Sequence, residues 1–179
     1  SLDNLWTVFA GLRFNFNDNI ALKGIFYYQD YNADVWNGAD WIDGDFDSVN
    51  AWKVIVDVKQ EALKFTSLWL EYGQMDAGFV TPMAMGDGGS MFVTTRYEDN
   101  HIMWDDLKYF RIVAGQEWSE KWATHLFYYN YDFDKDATED FKEWGLGVQY
   151  VYNPNVKFGL NYLKMDWDNN AGRADDHLV

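Results

Sequence analysis

The sequence contains no cysteine, so neither a disulfide framework nor a thiolate metal site can form. No apolar run approaches the roughly 18 residues that a membrane-spanning helix requires, which excludes a helical membrane protein. Histidine is scarce, and His101, His125 and His177 lack metal-ligand spacing. His101, beside Asp99, Asp105 and Asp106, is the one arrangement that resembles an acid–base group, and it reads as a polar loop residue. There is no Gly-rich phosphate cradle. Basic residues number 14 against 29 acidic ones, a net charge of −15 that suits a nucleic-acid partner poorly. No signal peptide opens the chain, as expected of an exported protein after processing or of a segment of one.

What is present looks contradictory at first. Hydrophobic residues make up 48%, yet the mean hydropathy is −0.42. Aromatics reach 20% and prolines number only 2, whereas a disordered acidic chain is poor in aromatic and β-branched residues. Fine alternation of apolar and polar residues reconciles these values.

That alternation recurs with a period of two, which is the signature of strands. Over 5–16, Trp6, Val8, Leu12, Phe14 and Phe16 oppose Thr7, Gly11, Arg13 and Asn15. Over 20–31, Leu22, Phe26 and Tyr28 oppose Lys23, Tyr27 and Gln29; over 51–60, Trp52, Val54, Val56 and Val58 oppose Lys53, Asp57 and Lys59. The segments 65–74, 108–118, 144–152 and 156–165 repeat the pattern, and 123–133 carries aromatics on both faces. Eight strands are expected, with a ninth beginning at the end of the sequence. Each runs roughly 9–12 residues, against about 5–6 in soluble proteins, and about 9–11 tilted residues cross a bilayer.

The connections alternate in length. Tight ones are expected at 17–19, 61–64, 119–122 and 153–155, and long ones at 32–48, 76–107, 134–143 and 168–176. Short turns at one end and long loops at the other are the layout of a transmembrane antiparallel up-and-down β-barrel in a bacterial outer membrane. A propeller blade would instead need about four short strands per repeat. The segments 32–48, 76–107, 132–143 and 166–177 hold 21 of the 29 acidic residues and 4 of the 14 basic ones. Acidity therefore gathers at one rim, expected to face outside. The chain reads as a single barrel domain, incomplete at both ends.

A charged side chain facing lipid at mid-depth costs about 2–4 kcal/mol. Arg13, Lys23, Lys53, Asp57, Lys59, Glu71, Arg111, Glu117 and Lys157 are therefore expected to point inward and line a water-filled pore. The loop 76–107, rich in Gly and Met, is a candidate to fold into the lumen as a constriction, with Asp76, Asp87, Glu98 and Asp99 facing a basic wall. No cofactor and no metal are expected. Asp132, Asp134 and Asp136 with Glu143 form an EF-hand-like frame, but Ala137 stands where the turn needs Gly, so calcium is only an alternative to an acidic rim. Trp6, Tyr28, Trp52, Tyr72, Trp118, Trp122, Trp144, Tyr152, Tyr162 and Trp167 lie near strand ends, where aromatics form interfacial girdles.

The stretch Ala51-Trp52-Lys53-Val54-Ile55-Val56-Asp57-Val58, with Leu63-Lys64-Phe65-Thr66-Ser67-Leu68-Trp69-Leu70-Glu71-Tyr72 after it, resembles porins that carry an N-terminal S-layer-homology anchor. The resemblance implies a homotrimer of barrels of about 16 strands, of which this sequence is about half. It also implies contact with a cell-wall polymer only through an anchor module absent from these residues. The expected activity is passive diffusion of small hydrophilic solutes, with a preference for cations and no enzymatic turnover. The alternative is a closed eight-stranded barrel of structural or adhesive role.

Overall fold

The alternating segments pair in the order in which they are written. In the computed structural model, which describes residues 2–36, 41–80, 105–134, 140–167 and 176–178, they form β1 (Leu2–Asn17), β2 (Ile20–Trp36), β3 (Trp41–Val58), β4 (Ser67–Met75), β5 (Leu107–Glu117), β6 (Trp122–Phe133), β7 (Phe141–Asn153), β8 (Val156–Trp167) and β9 (Asp176–Leu178). Each strand is hydrogen-bonded to its sequence neighbour in one nine-stranded sheet, and all pairs are antiparallel. This is the all-β, up-and-down wall of a β-barrel.

Turn chemistry explains the tight end. The side chain of Asn17 accepts the Asn19 N–H at 2.8 Å, and that of Asn153 accepts the Asn155 N–H at 2.9 Å. An Asn two residues ahead thus closes both turns in the same way. Between β5 and β6 the Ser119 hydroxyl accepts the N–H groups of Lys121 and Trp122, each at 3.2 Å. Between β3 and β4 the expected turn is a one-turn helix, α1 (Gln60–Leu63). It ends with Lys64 in the left-handed region at φ 69°.

One connection differs from expectation. The stretch 32–48, read as a long loop, is mostly strand: β2 continues to Trp36 and β3 begins at Trp41. The ladder runs through Asp34↔Asp43, Val35↔Ile42 and Trp36↔Trp41. Its many Asp residues suggested a solvated loop, yet Asp43, Asp45 and Asp47 recur at every second position, which is itself a strand period. A bulge between Gln29 and Tyr31 marks the change, with Ser48 at φ 63° taking up the extra residue of β3. β1, β2 and β3, with 16, 17 and 18 residues, therefore exceed the about 10 residues that span a bilayer.

Register fixes which residues share a face. Cross-strand partners in the central rows all join odd to odd, as in Arg13↔Lys23, Lys23↔Ile55, Ile55↔Glu71, Glu71↔Arg111, Arg111↔Tyr129, Tyr129↔Glu143 and Glu143↔Met165. One parity thus occupies one face of the sheet through these rows, and it inverts beyond the bulge of β3 and on β9, as in Tyr31↔Phe46 and Met165↔Asp176. From β2 to β8 every large apolar side chain among the described residues that is exposed within a strand has an even number, among them Phe26, Val54, Phe110, Leu126, Leu146 and Leu160. The odd face holds the buried residues, including Lys53, Glu71, Arg111 and Glu143. A continuous exposed apolar face of this extent is not tolerated in water. Apolar outward and charged inward is the polarity of a sheet whose outer side meets lipid.

Aromatics border this outer band at both levels. Toward the long connections lie Trp6 with Tyr28 (5.3 Å between ring centres), Trp52 with Tyr72 (5.7 Å) and Trp144 with Tyr162 (5.7 Å). Toward the tight turns lie Trp122 with Tyr150 (4.5 Å) and Tyr152 with Phe158 (6.5 Å). Trp118 also sits there, donating to the Thr124 hydroxyl at 2.9 Å. The side chain of Trp167 lies outside the described residues.

Candidate functional site

The inner, odd-numbered face carries the buried charged residues of the sheet. Its centre is an ionic cluster brought together by register. Glu71 on β4 sits opposite Ile55 on one side and Arg111 on the other. Its fully buried carboxylate lies 3.7 Å from Lys53 Nζ and 3.4 Å from Arg111 Nη1. It also accepts the Tyr109 hydroxyl at 2.8 Å and the Trp69 indole N–H at 3.0 Å. Arg111 extends the chain of contacts by donating to the Tyr129 hydroxyl at 3.4 Å while its guanidinium lies 4.6 Å from that ring's centre. Two cations and two neutral donors thus surround one anion, which meets the requirement for burying charge. One strand away, Lys23 pairs with Asp57 at 3.0 Å and lies 4.3 Å from the centre of the Trp69 ring.

The expected pore-lining residues therefore divide. Arg13, Lys23, Asp57 and Lys157 lie on the inner face, with Arg13 donating to Asn15 at 2.9 Å and Lys157 exposed opposite Val151. Lys53, Glu71 and Arg111 also lie on that face, but buried in mutual contact rather than open to water. A strand pattern shows which face a charge takes; it does not show that two neighbouring strands bring opposite charges together. Lys59 and Glu117 lie at the tight-turn end, Lys59 between β3 and α1 and Glu117 as the last residue of β5. Lys59 precedes α1 with its N–H bonded to the Asn19 carbonyl at 2.8 Å. Glu117 ends β5, and its N–H donates to the Gln60 side chain at 2.7 Å.

Toward the long connections the inner face changes character. Tyr27, Tyr31, Ala51, Met75, Leu107, Tyr109, Tyr129, Tyr131, Phe133, Phe141 and Met165 form one buried apolar cluster. Tyr131 stacks on Phe141 at 4.5 Å. Glycines let these rings lie flat on the wall. A Cβ at Gly73 would lie 2.6 Å from the Tyr109 ring, and one at Gly145 would overlap the Phe127 ring and the Tyr162 carbonyl. Similarly, one at Gly147 would overlap His125. The alternation of β4 and β7 places these glycines on the inner face, which was expected to be wet. They are instead covered by the aromatic partner on the next strand, and aromatics on both faces of 123–133 were the visible signal for it.

The first residues after β4 turn onto this surface. Phe79 N–H bonds the Asp76 carbonyl at 3.0 Å, and Gly78 has φ 88°, a reversal that needs glycine at its third position. The turn carries Phe79 and Val80, 0% and 4% exposed, across the inner face of β3 to β2. There Phe79 meets Tyr27, with ring centres 5.9 Å apart. Of the four acidic residues expected in this loop, Asp76 anchors its start by accepting the Asn50 N–H at 2.9 Å. Asp87, Glu98 and Asp99 lie outside the described residues.

The calcium frame is not assembled. Asp132 is exposed on the outer face of β6, whereas Glu143 is buried on the inner face of β7. Asp134 follows the end of β6 and Asp136 lies outside the described residues. Among the described residues no group of three or more acidic or histidine side chains could hold a metal.

No protein-family model matches this chain, and no curated protein matches it. A search of solved structures finds similarity to the CymD monoaromatic hydrocarbon channel, with TM-score 0.51 and 12% sequence identity over 88% of this chain and 46% of that one. This chain therefore spans less than half the length of that channel. At this identity the likeness concerns the fold, and the fold it indicates is the wall of a β-barrel.

Proposed function

We propose that the chain forms part of a bacterial outer-membrane β-barrel through which small hydrophilic solutes and ions diffuse passively, cations in preference. The observation that supports this most is the inverted polarity of the sheet, with exposed Phe, Trp and Leu outside and Lys, Arg and Glu inside. Backbone groups at a sheet edge cannot stay unpaired in lipid, so such a sheet spans a membrane only when closed. The long-connection end, toward which most of the 29 acidic residues lie, faces outside in this reading, drawing cations toward the mouth. The barrel of about 16 strands and the homotrimer implied by the resemblance to S-layer-homology porins belong to the same proposal. So does contact with cell-wall polymer through an anchor module outside this sequence. No catalytic step is part of it.

Planar-bilayer recording of the full-length protein tests this proposal. Stepwise single-channel currents with a reversal potential of cation-selective sign in a KCl gradient are expected. A flat baseline at high protein loading would instead favour the closed structural barrel. An anion-selective reversal potential would overturn the role given to the rim.

A second reading concerns the solute. The buried aromatic surface at the long-loop end of the inner face favours passage of small aromatic or apolar solutes, and the similar solved structure is named as a monoaromatic hydrocarbon channel. Proteoliposome uptake separates the two readings: sugars entering faster than benzene derivatives support the hydrophilic one, and the reverse order the apolar one.

A further inference from the structure

Gln29 is out of place among its neighbours. It is 1% exposed on the inner face of β2, between Tyr27 and Tyr31 and opposite Val49, all buried and apolar or aromatic. A buried amide is costly in such surroundings unless its donor and its acceptor are both used. Its nitrogen reaches the Thr7 hydroxyl on β1 at 3.2 Å, and both its donor and its acceptor are used on Val80. The side-chain nitrogen donates to the Val80 carbonyl at 2.8 Å, and the side-chain oxygen accepts the Val80 N–H at 2.8 Å. Gln29 thus offers Val80 the two bonds that a ladder partner in a sheet would offer, across the whole width of β3.

Other contacts fix the residues just before Val80. The Tyr31 hydroxyl donates to the Gly78 carbonyl. The Asp106 carboxylate, at the far end of the same loop, accepts the Ala77 N–H at 2.7 Å. Side chains from β2 and from the approach to β5 therefore hold the backbone of 77–80, with Phe79 as an apolar wedge beneath.

We propose that Gln29 is a positioning residue whose amide clamps residues 76–80 across the inner wall and so sets the bore of the channel at its long-loop end. The statement about bore rests on the channel reading given above. The clamp does not.

No cysteine occurs among these 179 residues, and any cysteine elsewhere in the full-length protein is replaced by serine before labelling. Val80→Cys is made in the full-length protein, alone and combined with Gln29→Leu or with Gln29→Glu. Each protein is reconstituted, its folding is verified by circular dichroism, and it is labelled with a charged, water-soluble thiol reagent. With Gln29 present, labelling is slow. Gln29→Leu removes both bonds to Val80 and raises the rate roughly tenfold. Gln29→Glu keeps an acceptor for the Val80 N–H but loses the donor to its carbonyl, and gives an intermediate rate. Single-channel conductance of Gln29→Leu rises in parallel. Equal labelling rates in all three proteins would overturn the clamp whatever the currents show. Faster labelling with unchanged conductance would overturn the control of bore. If the parent protein passes no current, the channel reading fails while the labelling rates still decide the clamp.

Discussion

Glu71 shows how a single residue depends on context that sequence does not display. The alternation of β4 places it inward, and that much is legible. Its surroundings come from three other residues on β3 and β5, namely Lys53, Arg111 and Tyr109, plus Trp69 two positions back. Those meet only once the register is set. Removing one member of a buried ionic cluster leaves the others uncompensated, at a cost of about 3–5 kcal/mol. Glu71→Leu is accordingly expected to lower unfolding stability in urea by about 3 kcal/mol or more. A loss below about 0.5 kcal/mol would mean that the cluster is solvated. The inner glycines give a second contrast at this scale. A Cβ at Gly145 would overlap Phe127, whereas nothing lies within 4 Å of one at Gly159. Gly145→Ala is expected to destabilise by about 1–3 kcal/mol as the ring is pushed aside. Gly159→Ala is expected to be neutral or to stabilise by a few tenths of about 1 kcal/mol, since strand glycine carries an entropic cost. Equal effects would deny that the Phe127 ring lies on the wall.

Among the elements, strands with one clean apolar side were legible and those with mixed sides were not. β7 and β8 set Trp144, Leu146, Phe158 and Leu160 against Gly145, Gly147, Lys157 and Gly159, and period two suffices. β6 has aromatics on both sides because its inner residues pack against β5 and β7 rather than face water. The extension of β2 and β3 was hidden by the chemistry of its side chains. Asp-rich sequence forms a ladder where the ribbon continues past the apolar band, since the backbone can pair there without any apolar requirement on either side. The turn after β4 was hidden for the opposite reason. Phe79 and Val80 are apolar residues inside a segment read as loop, and only Gly78 marks the reversal. A charge scan along β7 tests the sidedness of one element. Leu146→Arg, on the outer face, is expected to cost about 2–4 kcal/mol. Gln149→Arg, on the inner face near the tight turns, is expected to change stability by less than about 0.5 kcal/mol. Similar costs at both positions would be incompatible with a lipid side and an interior side.

For the whole molecule, two features place the inner surface in separate regimes. Toward the tight turns it is open and polar, with Arg13, Asp57 and Lys157 accessible. Toward the long connections it is closed by rings and by residues 76–80. The two ends of the inner face therefore differ in chemistry, a consequence of folding residues 76–80 onto the wall that strand periodicity cannot reveal. The overall architecture was far more legible, because a sheet pairing its strands in sequence order needs only alternating segments and turns. All of this depends on even-numbered residues meeting lipid while odd-numbered ones meet the interior. Spin labels placed singly at 157, 158, 159, 160 and 161 of β8 in reconstituted protein measure that directly, since both sides of this stretch have space for a probe. Phe158 and Leu160 positions are expected to collide with lipid-dissolved oxygen, and Lys157, Gly159 and Asn161 positions with a water-soluble nickel complex. Uniform accessibility along the five positions, or alternation with the opposite phase, would contradict the account.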